Sequence, residues 1–148
     1  VISRTYRKAE EAKELGAART LATTEEEDFF KNHRGEFDLI LSTISAEYDL
    51  EDYLGLLKPR GIMSVVGLPP EALPLRLRSI VGGGKVLTGN NIGGIAETQE
   101  MLDFCAEHNL GAVIEKVGVD DVDAAYERVV AGDVKFRFVI DTSTFADH

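Results

Sequence analysis

A group of cationic side chains near the amino end of the sequence could bind a phosphate group. The segment SRTYRK, Ser3–Lys8, follows a short apolar run and contains no acidic residue. Arg4 can bind a phosphate through two hydrogen bonds, Ser3 can donate another, and Lys8 adds a charge one helical turn later. Cations at the start of a helix oppose its dipole, so a bound anion would compensate them. The alternative is a solvated helix start that happens to be basic, and the residues alone leave both interpretations open.

Polar and glycine residues follow two predicted strands. The runs FDLILS, which includes Leu39–Leu41, and IMSVVG are almost continuously apolar, which is typical of parallel strands buried on both faces. Ligands of open parallel sheets bind at the carboxyl ends of the strands. The sequence therefore predicts a binding site at Thr43, Ser45, Val66 and Gly67.

The elements around these residues alternate between strand and helix. Asp49 can cap a helix between the two strands, and Pro59 is predicted to end it. Thr24 and Glu27 have the spacing of a capping box and predict a further helix. The alternation predicts an α/β fold with a doubly wound parallel sheet. The usual first strand and its glycine-rich turn are missing, because no G-x-G-x-x-G motif follows the first strand of the sequence.

Later elements continue the same alternation. The sequence predicts a strand over Lys85–Gly89, a helix over 97–108 and a helix over Val122–Val130. On the helix over 97–108, the side chains of Met101, Leu102 and Cys105 are expected to face the core.

Composition restricts the classes of function. The chain has 148 residues, 44% of them hydrophobic, which suits one domain. Its net charge of -10 and the absence of a basic stripe argue against a nucleic-acid partner. No apolar run is long enough to span a membrane, so we expect a cytoplasmic protein. One cysteine and three surface histidines, His33, His108 and His148, do not have metal-ligand spacing, so we expect no metal site and no catalytic residue in this chain.

Five segments of the sequence carry a resemblance to a known family: VISRTYRK, FDLILSTIS, LLKPRGIMSVVGLPPEALPL, IGGIAETQEMLDFCAEHNL and DAAYERVVAGDVKFRFVID. With them the chain resembles the zinc-dependent medium-chain alcohol dehydrogenases, and within these the cinnamyl-alcohol-dehydrogenase-type, NADPH-dependent aldehyde reductases. The resemblance covers only the later part of such an enzyme. It implies that residues 1–148 are a partial NAD(P)-binding Rossmann domain with a return segment at about 113–148, and that the amino-terminal zinc domain is absent.

The resemblance also assigns roles to individual residues. It implies that Ser3, Arg4 and Lys8 contact the 2′-phosphate of NADP and that Thr43 and Ser45 lie by the nicotinamide-side ribose. Arg137 matches a basic position near the cofactor phosphates. The residues implied to hold the nicotinamide are Val66, Gly67, Leu68, Asn90 and Ile92.

The function that the resemblance implies belongs to the whole enzyme. In such an enzyme zinc, held by the other domain, polarises an aldehyde carbonyl while NADPH delivers hydride. The chain on its own is then expected to be inactive. The family also implies a homodimer in which the edge strand Lys85–Gly89 pairs with its copy.

Two other classes of function stay open at this point. FDLILS followed by LLKPRG also resembles methyltransferases that use S-adenosylmethionine, although those proteins close their sheet with an antiparallel hairpin. The chain could also be a non-catalytic nucleotide-binding or dimerisation module.

Overall fold

The computed structural model describes residues 1–147, so the expectation for His148 lies outside the described residues. The chain forms two compact units, Val1–Ile92 and a second one from Gly93 onward. Among the described residues, no helix combines the length and the apolar character that crossing a membrane requires.

The first unit alternates short helices with five parallel strands. The elements in chain order are β1 (Ile2–Ser3), a 3₁₀ turn (Tyr6–Lys8), α1 (Ala9–Glu14), β2 (Leu21–Ala22), α2 (Phe29–Asn32), β3 (Phe37–Ser42), α3 (Leu50–Leu56), β4 (Leu57–Val65), α4 (Arg78–Val81) and β5 (Val86–Gly89). β1 pairs with β2, and β3, β4 and β5 form a second sheet in that order. Every strand pair is parallel, as the alternation of strands and helices predicts.

The two sheets of the first unit are separated where the sequence predicts a missing strand. In a doubly wound sheet of order 3-2-1-4-5-6, the first strand lies between the second and the fourth. Without it, strands two and three form one group, and strands four, five and six form another. The observed groups, β1–β2 and β3–β4–β5, match this division.

The core of the first unit lies between β3, β4 and the helix α3. Asp49 caps α3 as predicted, since its Oδ1 accepts hydrogen bonds from the backbone N–H groups of Glu51 at 2.8 Å and Asp52 at 3.2 Å. Leu54, on α3, has no exposed surface. The buried side chains that pack together are Leu21, Phe29, Ile40, Leu50, Leu54, Leu56, Leu57 and Met63.

The other face of β3 is uncovered within this unit, so the prediction of burial on both faces is wrong. Leu39 and Leu41 are 62% and 63% exposed, whereas Ile40, between them, is 8% exposed. Successive side chains of a strand point to opposite faces, and in this unit the helix α3 and the core side chains cover only the face of Ile40. Ile62, beside Leu39 in the register of β4, is also exposed.

Two helix boundaries differ from the prediction. The capping box does not form, because the hydroxyl of Thr24 donates to the carbonyl of Arg4 at 2.6 Å, and α2 begins only at Phe29. Pro59 does not end α3, since α3 passes directly into β4 at Leu57 and Pro59 lies within that strand.

Over its described residues, 93–147, the second unit contains two helices and one pair of parallel strands. Its elements are α5 (Ile95–Glu107), β6 (Glu115–Val117), a 3₁₀ turn (Val119–Asp121), α6 (Val122–Val130), β7 (Phe138–Ile140) and a terminal 3₁₀ turn (Thr142–Asp147), with β6 beside β7. The predicted bounds of α6 are confirmed. The expected burial of one face of α5 is not observed. Met101 and Leu102 are half exposed and Cys105 is only partly buried, because none of the described elements of this unit covers that face.

Candidate functional site

The basic segment after β1 lines an open hollow of about 310 Å³. Ser3 ends β1, and Thr5 caps the following 3₁₀ turn by accepting a hydrogen bond from the backbone N–H of Arg7 at 3.4 Å. The turn therefore presents Arg7 on the same hollow as the predicted residues. The lining residues are Ser3, Arg4, Thr5, Arg7 and Lys8.

The hollow contains two residues that the sequence reasoning missed, Thr5 and Arg7. Arg7 stands three residues after Arg4, which is the spacing of neighbours on one face of a helical turn. This spacing could have indicated from the sequence that Arg7 lies beside Arg4. Among the side chains that the structure describes, neither Arg4 nor Arg7 forms an ion pair through its guanidinium, so both can bind an added anion.

The backbone of the basic segment is fixed by the chain after β2. The N–H groups of Thr23 and Thr24 donate to the carbonyls of Ser3 at 2.9 Å and Arg4 at 3.1 Å. These bonds continue the β1–β2 pairing beyond the last residue of each strand. They hold the segment at the carboxyl end of β1.

Two acidic residues hold Tyr6, the first residue of the 3₁₀ turn. Glu25 accepts a hydrogen bond from the backbone N–H of Tyr6 at 3.0 Å, and Oε1 of Glu26 accepts one from its phenol at 2.6 Å. The bond from Tyr6, together with bonds from Ala22 and His33, lowers the pKa of Glu26 to about 2. The same carboxylate raises the pKa of Tyr6. Glu25 and Glu26 thus hold Tyr6 in place through hydrogen bonds.

A second group of predicted residues lies where β3, β4 and β5 end. Ser42, Val65 and Gly89 are neighbours in one row across the three strands. Beyond this row the N–H of Val66 donates to Ser42 at 2.9 Å, and the N–H of Asn90 donates to Val65 at 3.3 Å. The structure therefore brings together the backbone that carries four predicted positions: Thr43, Val66, Gly67 and Asn90.

Gly67 makes this close arrangement possible. A Cβ atom at this position would lie 2.6 Å from the carbonyl carbons of Thr43 and Ile44, closer than real Cβ contacts. Gly67 itself is buried, whereas Thr43, Ser45 and Val66 are exposed around it. Backbone from two strand ends is thereby packed in direct contact.

The remaining predicted residues have different surroundings. Leu68 and Ile92 are 78% and 86% exposed. Asn90 accepts a hydrogen bond on its side-chain oxygen from the N–H of Asn91 at 3.0 Å. Arg137 belongs to the second unit, where its carbonyl accepts a hydrogen bond from Glu115 at 3.0 Å just before β7, and its contact with the cofactor stays a prediction.

His33 is not the surface histidine that the sequence suggested, because its side chain is only 15% exposed. Its Nε2 lies 3.1 Å from Oε2 of Glu26, and its Nδ1 lies 2.5 Å from Oε2 of Glu36. Glu36 also forms an ion pair with Arg19. These partners, Glu36 first, raise the pKa of His33.

A wider hollow, of about 630 Å³, runs beside α3 at the opposite ends of the strands. Two of its cations already have partners in the protein. Arg76 is paired with Glu51, and the ammonium of Lys85 donates to the carbonyl of Leu54 at 2.5 Å. Lys85 therefore serves to cap the carboxyl end of α3, where a cation is favourable.

In the part of the chain that the structure describes, no three His, Cys, Asp or Glu side chains are grouped so that they could hold a metal ion. These residues therefore do not fit zinc, and no chemistry of zinc is assigned to them.

Comparison with known proteins identifies the family. Residues 1–107 match the family described as zinc-binding dehydrogenase. NADP-dependent alcohol dehydrogenase C 1 of Mycolicibacterium smegmatis is 48% identical over 144 residues, which are 97% of this chain and 41% of that protein. The chain thus spans about two fifths of the length of this curated relative.

Solved structures agree with this assignment. A cinnamyl alcohol dehydrogenase from Sorghum bicolor superimposes with a TM-score of 0.88 at 40% identity, over 97% of this chain and 40% of that chain. The cinnamyl alcohol dehydrogenase of Helicobacter pylori, solved in complex with NADP(H), gives a TM-score of 0.81 at 38% identity, over 97% of this chain and 40% of that chain. The predicted Rossmann-like fold and the predicted resemblance are confirmed. The chain belongs to the zinc-binding dehydrogenase family.

Proposed function

We propose that this chain binds NADP(H) and forms the cofactor-binding part of a zinc-type, NADP-dependent alcohol dehydrogenase or aldehyde reductase. The observation that carries the proposal is the hollow of about 310 Å³ after β1, which is lined by three cations and two hydroxyl groups. An acid at this position would favour the free 2′-hydroxyl of NAD, whereas cations accommodate the 2′-phosphate of NADP. The NADP-dependent alcohol dehydrogenase of Mycolicibacterium smegmatis and the Helicobacter pylori enzyme solved with NADP(H), both at least 38% identical to this chain, support the same choice.

The residues of the hollow would share the recognition of the 2′-phosphate. Arg4 and Arg7 can each present a planar pair of N–H donors to the phosphate oxygens, and Lys8 adds a third positive charge. Ser3 and Thr5 can donate hydrogen bonds from their hydroxyl groups. This proposal adds Thr5 and Arg7 to the three residues that the sequence predicted to contact the 2′-phosphate.

The carboxyl ends of β3, β4 and β5 would hold the nicotinamide half of the cofactor, which supplies or accepts hydride when bound. Thr43 and Ser45 are assigned to the ribose, and Arg137 is assigned to the cofactor phosphates. Gly67 keeps the two strand ends in backbone contact, so its neighbours can present N–H and C=O groups to the ring. The nicotinamide residues in this proposal are Val66, Gly67, Leu68, Asn90 and Ile92.

The remaining parts of the proposal concern the whole enzyme. Its substrate would be a small alcohol or aldehyde, its zinc would be held outside the described residues, and its location would be the cytoplasm. It would be a homodimer joined through β5, the edge strand of the sheet β3–β4–β5. The methyltransferase alternative has no support in the comparisons. The alternative of a non-catalytic module would require that cofactor binding occurs without turnover.

Replacing Arg4 tests the cofactor assignment. A hydrogen bond between charged partners contributes about 1.5–3 kcal/mol, so Arg4→Ala should weaken NADPH binding by roughly ten- to a hundredfold. NADH has no 2′-phosphate and should bind as before. Dissociation constants from fluorescence titration of the full-length protein measure both effects. Arg78→Ala, on α4 and away from the hollow, is the matched control, and equal weakening of NADPH and NADH by Arg4→Ala would refute the assignment.

A further inference from the structure

Glu26 connects the basic hollow to a histidine. Its Oε1 accepts hydrogen bonds from the phenol of Tyr6 at 2.6 Å and from the backbone N–H of Ala22 at 2.7 Å. Tyr6 opens the 3₁₀ turn that also contains Arg7 and Lys8. This carboxylate therefore helps to hold the turn that carries Arg7 and Lys8.

The other oxygen of Glu26 faces His33, and both ring nitrogens of His33 face carboxylates. Nε2 lies 3.1 Å from Glu26 and Nδ1 lies 2.5 Å from Glu36. An ionised carboxylate can only accept hydrogen bonds, and a neutral imidazole has only one N–H group. Both bonds therefore exist together only when His33 carries two protons. Loss of one proton would set a ring lone pair against a carboxylate lone pair.

The surroundings of His33 also favour its charged form. Besides Glu26 and Glu36, the Phe29 ring lies against it, with ring centroids 4.7 Å apart, and Arg19 forms an ion pair with Glu36. Two carboxylates are thus balanced by one guanidinium and one imidazolium. A neutral His33 leaves one negative charge uncompensated at a site whose side chain is only 15% exposed.

We propose that His33 is a positioning residue for the basic hollow: through Glu26 and Tyr6, its protonated form holds the turn that binds the 2′-phosphate. This proposal rests on the proposed binding of NADP(H). It implies that affinity for the 2′-phosphate depends on pH in a direction that the phosphate itself would not produce.

Whether affinity rises or falls with pH depends on the protonation of His33 and of the phosphate. The pKa of His33 is raised above its usual 6.5, so its contribution is complete below that pH and is lost as pH rises through the raised value. A phosphate with a second pKa near about 6 gains charge over the same interval, which by itself would strengthen binding to cations. If affinity for the 2′-phosphate falls as pH rises, the cause is therefore deprotonation of His33 and not ionisation of the phosphate.

Calorimetric titration of the full-length protein with adenosine 2′,5′-bisphosphate tests this proposal, with 5′-AMP as the ligand that lacks the 2′-phosphate. Between about pH 6.5 and about pH 9, we expect the affinity for the bisphosphate to fall about three- to tenfold and that for 5′-AMP to stay constant. His33→Gln should bind the bisphosphate weakly at both pH values. His108→Gln, at the end of α5, is the matched histidine control and should behave as the natural protein.

A second variant covers the case in which His33→Gln does not fold, as judged by circular dichroism. Tyr6→Phe keeps the ring but removes the hydroxyl that Glu26 holds, and it should weaken the bisphosphate in the same direction. The proposal is overturned if the variants that fold keep the natural affinity and pH profile. If Arg4→Ala nevertheless loses affinity for the bisphosphate, the proposed binding of NADP(H) stands and only the role of His33 is refuted. If Arg4→Ala also binds normally, the proposed binding site and the role of His33 are both refuted.

Discussion

Gly67 packs its backbone against that of Thr43 and Ile44, so the candidate site has no room for a side chain at this position. Gly67→Ala would force the end of β4 away from the end of β3, because the new Cβ would meet backbone atoms that cannot rotate aside. Overpacking of this kind costs about 1–3 kcal/mol. We expect the free energy of unfolding, measured in urea, to fall by this amount. The affinities for NADPH and NADH should fall equally, since both cofactors carry the nicotinamide.

Gly55 offers a matched control for this substitution. It lies on α3 with no atom within 4 Å of an added Cβ. Alanine in a helix is favoured over glycine by about 0.5–1 kcal/mol, so Gly55→Ala should stabilise the protein slightly and leave cofactor binding intact. If Gly67→Ala is as stable as the natural protein, the two strand ends are not in contact.

Sequence reasoning proposed those residues of the candidate site whose chemical type is distinctive. Ser3, Arg4 and Lys8 stand out because a basic segment without an acid is unusual at a strand end. His33 could not be found in this way, because its two partners, Glu26 and Glu36, are brought to it by the tertiary fold and not by their position in the sequence. The capping box expected at Thr24 failed for the same reason, since the threonine bonds to another segment, at Arg4.

Among the elements, β5 offers a free edge for pairing. The N–H of Asn90 donates to β4, and backbone groups alternate in direction along a strand. The N–H groups of Leu87 and Gly89 therefore point away from β4, toward the open edge. If two copies pair through β5, these two amides gain partners in the dimer.

Hydrogen exchange measures this pairing directly. In the dimer, the amides of Leu87 and Gly89 should exchange slowly, and dilution below the dissociation constant should accelerate both. The amides of Val86 and Thr88, which face β4, should change much less and serve as the internal control. Rapid exchange at Leu87 in a protein that light scattering shows to be dimeric would place the interface elsewhere.

The elements that sequence predicted best are those with complete local signals. α6 has strong helical periodicity, and α3 has an Asp cap followed by apolar residues at helical spacing. The face of a strand that is covered is not a local property. Leu39 and Ile40 are equally apolar, yet they differ greatly in exposure, because a sequence does not show which neighbour packs on each face.

At the scale of the whole molecule, several carboxylates stabilise the fold in their ionised form. Hydrogen bonds from Arg76 lower the pKa of Glu51 to about 2, and those from Tyr6 do the same for Glu26. Both values lie below the usual 4.5. A lowered pKa gives stability that is present above pH 4.5 and is lost as pH falls toward about 2.

We therefore expect the contribution of these two carboxylates to stability to decline below about pH 4.5 and to be largely lost near about pH 2. Glu51→Gln should flatten this decline, since it removes one group that binds a proton on unfolding. Chemical unfolding at a series of pH values measures the effect. Glu47→Gln, at an exposed position, is the control, and an equal slope for Glu51→Gln and the natural protein would contradict the role given to the Arg76–Glu51 pair.

The division of the strands into β1–β2 and β3–β4–β5 was also predictable, because no glycine-rich turn follows the first strand of this sequence. What the molecule does with that arrangement depends on a ligand. The central claim is that the 2′-phosphate of NADP(H) binds in the hollow after β1. A crystal structure of the full-length protein with NADP(H) tests it most directly. We expect phosphate oxygens within hydrogen-bonding distance of Arg4 and Ser3; a 2′-phosphate in solvent, or in the hollow beside α3, would contradict the claim.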